Sequence, residues 1–561
     1  MLKLKMDHYA THTELTEFLK SAVKSYPHLM TLESIGKTTG KKEIWLATIT
    51  NSKTGSAENK PAFWIDGNTH ASEVAGAQSA MFFISRLLAE AKTNSEIQYL
   101  LDHVTFYVLP KLSADGADYF IRTQHEVRSS LVPWPNPPVQ ENFIPADLNG
   151  DGLILTMRKE DPAGAYKVSA KNKNIMVQRS HVDYEDGDTK YYKLYQEGSF
   201  QNFDGFNENF EQTHGYDLNR QYPANYRPEG QQMGAGEYPL QLPEAEAFIK
   251  AFTERKRIYG HLTLHTYGGV IIRPPTNHPD ENFAAHDIEV YKKILEENAI
   301  ASGYKPLSSY KDFRYNPRDT ISGTGCDWSF EHRGVYAFTI EIWDVWKKAG
   351  ITVKNDVSRY FYPEESELLS IFDWAKKNLK YDDFYQDWKP FHHPQLGKVE
   401  IGGWKTAYLF RNPPPQFLKA EMEKVFSIAM AQAKSMPLVH TKSIQAKKID
   451  SNTTQICVVF ENKGFLGTYL SEQALKVAAV KKPLVRVKTS GKIKVISGKK
   501  IFETDHLKGR NRFLPWHSPV MMYSRKNNNE VLLEWIVEGS GKFEISADFC
   551  HGGVVSTSID V

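Results

Sequence analysis

Apolar and polar positions follow two rhythms along this chain, and the rhythm changes near residue 395. From about residue 13 to 380, stretches with apolar residues every three or four positions take turns with short β-branched and aromatic runs. Glu14 to Lys24 is a short amphipathic helix. In Glu73 to Ala91, residues Val74, Ala77, Met81, Phe82, Ile84 and Leu87 fall near one broad helical face. Pro243 to Lys256, which starts on proline, Ile288 to Ala301 and Pro363 to Lys377 are further helices. Glu43 to Thr50, Pro61 to Asp66, Val104 to Leu109, Tyr259 to His265 and Tyr336 to Ile342 read as strands. Strands alternating with helices predict an α/β sheet covered on both faces. In such sheets ligands bind at the carboxyl ends of strands. Residues 124–215, rich in Pro, Asn, Asp, Gly and Tyr and weak in periodicity, read as an insertion. Beyond 395, one amphipathic helix, Gln416 to Ala433, precedes short alternating strands such as Thr454 to Phe460, Val485 to Lys488 and Val531 to Val537. This predicts a β-rich, sandwich-like second domain. The expected division is 1–390 and 391–561.

Composition changes this picture little. Among 561 residues no run of about 18 apolar positions exists, so no membrane-spanning helix is expected. A net charge of +2 gives no global reason to expect nucleic acid. Residues 476–512 carry twelve Lys or Arg against two acidic residues, with few aromatics between them. They read as lysine-rich exposed strands that discourage edge pairing, ahead of a polyanion-binding patch. Cys326, Cys457 and Cys550 lie too far apart for a disulfide scaffold or a closely spaced thiolate zinc site. The first residues lack an apolar signal-peptide core. The chain is therefore cytoplasmic as written, or secreted or periplasmic if a signal has been removed; oligomeric state is not legible.

The candidate chemistry sits at strand ends. His70 and Glu73 form an H-x-x-E just past an apolar strand. Two other H-x-x-E pairs, His278/Glu281 and His286/Glu289, start a predicted helix, where such pairs ordinarily face water. His265 ends another apolar run, and Glu341 interrupts Ala337-Phe338-Thr339-Ile340 and Ile342-Trp343. A carboxylate in a strand that should be buried must be paired, metal-bound or catalytic. Two imidazoles and a carboxylate suit an open zinc site, and Glu341 suits proton transfer. Separately, Asp147, Asn149 and Asp151 begin a D-x-N-x-D-G pattern like a calcium loop. Arg158 at its twelfth position excludes an EF-hand. An Asx-rich turn is the plainer reading, and a partial calcium site the sharper one.

Taken in order, G-x-x-H-x-x-E at 67–73, D-x-N-R at 217–220, H-x-Y at 265–267 and T-x-E at 339–341 resemble the zinc carboxypeptidase family over roughly residues 8–380. The resemblance implies a mixed, eight-stranded-type sheet and one zinc ion held by His70, Glu73 and His265. Glu341 would activate metal-bound water, and Asp217 would orient His70. Asn219, Arg220, Tyr267 and Cys326 would contact substrate, with Arg220 on its terminal carboxylate. Arg158 would steady the oxyanion. The implied activity is release of the C-terminal residue from a peptide or protein with a free C-terminus.

The chain also departs from the family. Where a mobile tyrosine is expected, an ungapped count gives Asp319, with Tyr315 four residues earlier. Ser72 replaces a frequent arginine inside H-x-x-E. Cys326, small and neutral, disfavours Lys or Arg as the released residue unless Asp319 points into the pocket. The family-like stretch starts almost at residue 8, so latency through a folded pro-domain is not expected, and the insertion is a candidate for restricting access. Two rival readings stand: a hydrolase of cell-wall peptides with D- or branched amino acids, and an inactive peptide-binding relative.

Overall fold

The computed structural model describes residues 4–134, 143–184, 187–206, 208, 214–314, 319–353, 357–511 and 528–561. Its centre is an eight-stranded mixed sheet. Across the sheet the order is Met30–Lys37, Glu43–Ile49, Thr105–Leu109, Ala62–Gly67, Ile258–Thr266, Tyr336–Ile342, Val270–Arg273 and Lys305–Ser308. Four adjacent strands in the middle, from Thr105–Leu109 to Tyr336–Ile342, run parallel. They are apolar almost throughout because both faces are covered. Helix Val74–Glu90 covers one face, where Phe83 meets Phe106. On the other, Phe248 and Phe252 of helix Pro243–Glu254 pack on Trp64. The sheet predicted from the resemblance is thus present.

The expected insertion builds its own small sheet from Thr156–Glu160, Tyr166–Val168, Met176–Gln178 and Tyr191–Gln196. That sheet is completed by Tyr385–His393 and Gly397–Trp404, far along the chain. Helix Pro415–Ala433 packs against Val74–Glu90 and Ala285–Ser302, and its Leu418, Met422 and Val425 join the main core. This helix therefore packs with the α/β unit, and we propose a domain boundary near 438.

Beyond it, two four-stranded antiparallel sheets enclose a separate core containing Val458, Val485, Trp535, Phe543 and Ile545. The lysine-rich stretch contributes an edge strand to each sheet, Lys494–Ser497 and Ile501–Glu503. This unit is fastened to the first by Arg257, paired with Asp548 (2.7 Å), and by Asp287, which accepts the backbone N–H groups of Glu472 and Gln473 (3.0 and 2.9 Å). No helix among the described residues is long and apolar enough to cross a membrane.

Candidate metal centre and cleft

Three parallel strands end side by side at the site. In register, His265 lies opposite Glu341, and Leu264 opposite Gly67. The chain leaves the Ala62–Gly67 strand through a tight loop. Asn68 adopts φ +58, and its side-chain amide donates to the carbonyls of His70 and Ala71 (2.7 and 3.0 Å). Helix Val74–Glu90 then starts against the strand ends. A Cβ on Gly76 would stand 2.4 Å from the Leu264 carbonyl oxygen, so only glycine lets the helix approach this closely. That approach places Glu73, the residue before the helix, beside His265.

The result is a cluster of His70, Glu73 and His265, all buried, with ligand atoms within 4.8 Å of one another. His70 Nδ1 and His265 Nδ1 face each other at 3.0 Å, and each lies 2.9 Å from a Glu73 oxygen. Two ring nitrogens converging on one carboxylate suit a shared cation. Ligands at about 2.0–2.1 Å in a tetrahedron stand roughly 3.3 Å apart, close to these separations. The opposite ring nitrogens are engaged as such a site requires. His70 Nε2 meets Asp217 Oδ1 at 3.2 Å, and His265 Nε2 meets Thr263 Oγ1 at 3.2 Å. A proton on each Nε2 leaves the Nδ1 lone pair for the metal. Burial opposes the charge on Glu73, but the two histidines hold its carboxyl well below the usual range. Burial likewise opposes Asp217, which Arg128, Arg220 and His70 pull well down.

Glu341 projects into the cleft beside this cluster. Burial, reinforced by the Glu73 charge, raises its carboxyl well above the usual value, while Arg128 and Arg411 oppose the rise. The surrounding cleft measures about 550 Å³. Asn219 and Arg220 line it; Arg220 Nη1 is 3.8 Å from Asp217 Oδ2, and Asn219 Oδ1 accepts the Gly325 N–H (3.0 Å). Tyr267 also lines the cleft, stacked on Trp346 at 5.8 Å. Cys326 lies at the wall, its Sγ 3.3 Å from Thr339 Oγ1. Seven of the residues predicted to contact metal or substrate, with Asp217 and Glu341, line this one cleft.

Arg158, expected to steady the oxyanion, does not line this cleft. It lies on the insertion's sheet, paired with Glu400 (2.8 Å) and sandwiched between Trp388 and Tyr192. One arginine at the cluster is Arg128: its Nε donates to Asp217 Oδ2 (2.8 Å), and its Nη1 lies 3.7 Å from Glu73 Oε1. Backbone hydrogen bonds from Ala71 and Ser72 to the carbonyls of Arg128 and Val127 hold it there. Apart from Arg128 and Gly215, no described residue of the 124–215 segment lines the cleft. Asp319 is exposed and paired with Arg227 outside the cleft wall, and Tyr315 falls outside the described residues. Tyr360 and Arg411 are among the cleft residues that no motif in the sequence marks. His278 sits 3.6 Å from Glu331, away from any metal cluster among the described residues. In the Asp147 loop, the carboxylate accepts the backbone N–H groups of Gly150, Asp151 and Gly152, the pattern of an Asx-rich turn.

Behind Cys326, Asp327 is a buried acid pushed up to about 7 by burial and by the Glu331 charge. Thr276 Oγ1 contacts both Asp327 and the Ile321 carbonyl. Having one proton, the hydroxyl that donates to Ile321 needs a protonated Asp327 as its other partner. A carboxyl that holds its proton more tightly when folded contributes stability fully below its ordinary 3.8. That contribution is lost as pH rises through about 7. Asp327→Asn keeps the shape and stays neutral. The variant should therefore gain on the parent in denaturant melts at pH 8 relative to pH 5; parallel curves would contradict this.

A His–Glu–His cluster able to hold a metal ion, at the strand ends of an α/β sheet, is thus what fold and site define. The family model described as zinc carboxypeptidase matches residues 15–373, and one described as a domain of unknown function matches 438–560. The chain belongs to the zinc carboxypeptidase family. It is similar to carboxypeptidase D of Homo sapiens, 26% identical over 117 residues, which is 21% of this chain and only 8% of that protein. Carboxypeptidase O of Homo sapiens is 23% identical over 349 residues, covering 59% of this chain and 69% of that one. Among solved structures, thrombin-activatable fibrinolysis inhibitor aligns with a TM-score of 0.43 and 14% identity, over 76% of this chain and 74% of that one.

Proposed function

We propose that this protein is a zinc-dependent carboxypeptidase that hydrolyses the C-terminal bond of peptides. The observation that carries the reading is one cleft in which a three-ligand cluster is flanked by Glu341, Arg128 and the Asn219–Arg220 pair. Zinc held by His70, Glu73 and His265 would supply Lewis acidity and lower the pKa of water. Arg220 and Asn219 bind the terminal carboxylate, a task that suits a planar guanidinium. Glu341 accepts the proton of the attacking water and returns it to the leaving amine. Arg128 places positive charge where the oxyanion develops. Ile272, Pro274, Phe313, Ile321, Cys326 and Thr339 line the same cleft, and Arg273 there is held by Asp280 (2.6 Å). An uncharged, apolar C-terminal side chain fits those walls.

Arg220→Ala tests the orientation. Losing a charge-assisted hydrogen-bonding pair should cost roughly a hundredfold in kcat/KM on free C-termini. The same peptides amidated, already poor substrates, should change little. Equal effects on both would remove Arg220 from carboxylate recognition.

A further inference from the structure

Arg411 comes from a segment beyond the stretch that matches the family, yet its guanidinium enters the cleft. The turn Ala407–Arg411 brings it there, and the next residue pins the turn: the Asn412 side chain donates to the Ser72 carbonyl (2.8 Å) and accepts the Ala75 N–H (3.0 Å). Arg411 lies over the Tyr267 ring at 5.1 Å, with Nη1 4.0 Å from Glu73 Oε1. Its Nε–H is buried without a hydrogen-bond partner among the described residues. Among the described residues, its one ion pair with an exposed group is Nη2 to Glu126 Oε2 at 2.6 Å, and Glu126 is 41% exposed. A carboxylate arriving from solvent could replace Glu126 and take up the orphaned Nε–H, giving the two parallel bonds a guanidinium favours.

The position says which part of a substrate that carboxylate belongs to. Contacts run from Arg220 to Asp217, from Asp217 to His70 and Arg128, from these to Glu73, and from Glu73 to Arg411. Arg220 and Arg411 therefore stand at the two ends of this run of contacts, with Asp217 and Glu73 between them. With the terminal carboxylate on Arg220 and the scissile bond at Glu341, the chain upstream of that bond passes Tyr267 and Arg411.

We propose that Arg411 and Tyr267 form a subsite for a carboxylate on the acyl side of the scissile bond, so that peptides with an acidic residue just upstream of the released residue are preferred. This rests on the carboxypeptidase reading and is tested so that the two can fail separately. Two peptides differing only in Glu or Gln at the penultimate position, each ending in Phe, are compared for kcat/KM and for calorimetric affinity with the zinc-loaded protein. The Glu peptide should be favoured about tenfold, the scale of one charge-assisted contact. Arg411→Gln should bring the ratio near one, and Arg411→Lys should restore part of it. Glu126→Gln removes the competing carboxylate and should raise the ratio. Turnover without a Glu preference, or a preference that survives Arg411→Gln, overturns the subsite. Arg411-dependent binding of the Glu peptide without turnover would uphold the subsite while refuting the peptidase reading.

Discussion

Replacing Glu341 by glutamine should reduce kcat by at least about a thousandfold, within the range expected for losing a positioned general base. The amide is nearly isosteric but cannot accept the proton from water or deliver it to the leaving amine. Glu341 is not part of the His70–Glu73–His265 cluster, so zinc stoichiometry should stay near one per chain. Peptide affinity should also persist, because the terminal carboxylate is assigned to Arg220. The three readouts together are decisive. Lost turnover with lost zinc would make Glu341 a structural support of the cluster, and retained turnover would remove it from the chemistry.

Arg128→Ala carries the second large effect. Its guanidinium bridges Asp217 and faces Glu73, within the cleft where charge would develop. Loss of an oxyanion donor typically costs about 100- to 1,000-fold in kcat. The informative control is Arg158→Ala. Arg158 is packed between Trp388 and Tyr192 and paired with Glu400. Its removal should lower the melting temperature while kcat/KM stays within about threefold. The reverse ranking of the two variants would restore Arg158 to the role first expected from the sequence.

That contrast shows where sequence reading reached its limit. The central strands were legible because each is a largely apolar run, and the helices because their apolar faces are broad. Val270–Arg273 and Lys305–Ser308 were not: four residues are too few to show a period. Met30–Lys37, largely exposed along one edge, shows little apolar alternation. The candidate metal ligands stood out through their motifs at strand ends. Arg128 carried no such mark, since it opens a segment weak in periodicity and is placed by backbone pairing with Ala71 and Ser72. Arg411 lay beyond the point where the rhythm changed. The helix that follows it, Pro415–Ala433, nevertheless returns to the α/β core. A change of pattern marked the β-rich domain but not where packing passes from one core to the other.

The central claim is tested most directly by mass spectrometry of a mixed peptide pool incubated with the zinc-loaded protein, each peptide present with a free and an amidated C-terminus. The account predicts stepwise loss of single C-terminal residues from the free forms alone, fastest for apolar residues. Internal cleavage, equal cleavage of amidated forms, or intact peptides beside a fully zinc-loaded protein would contradict it.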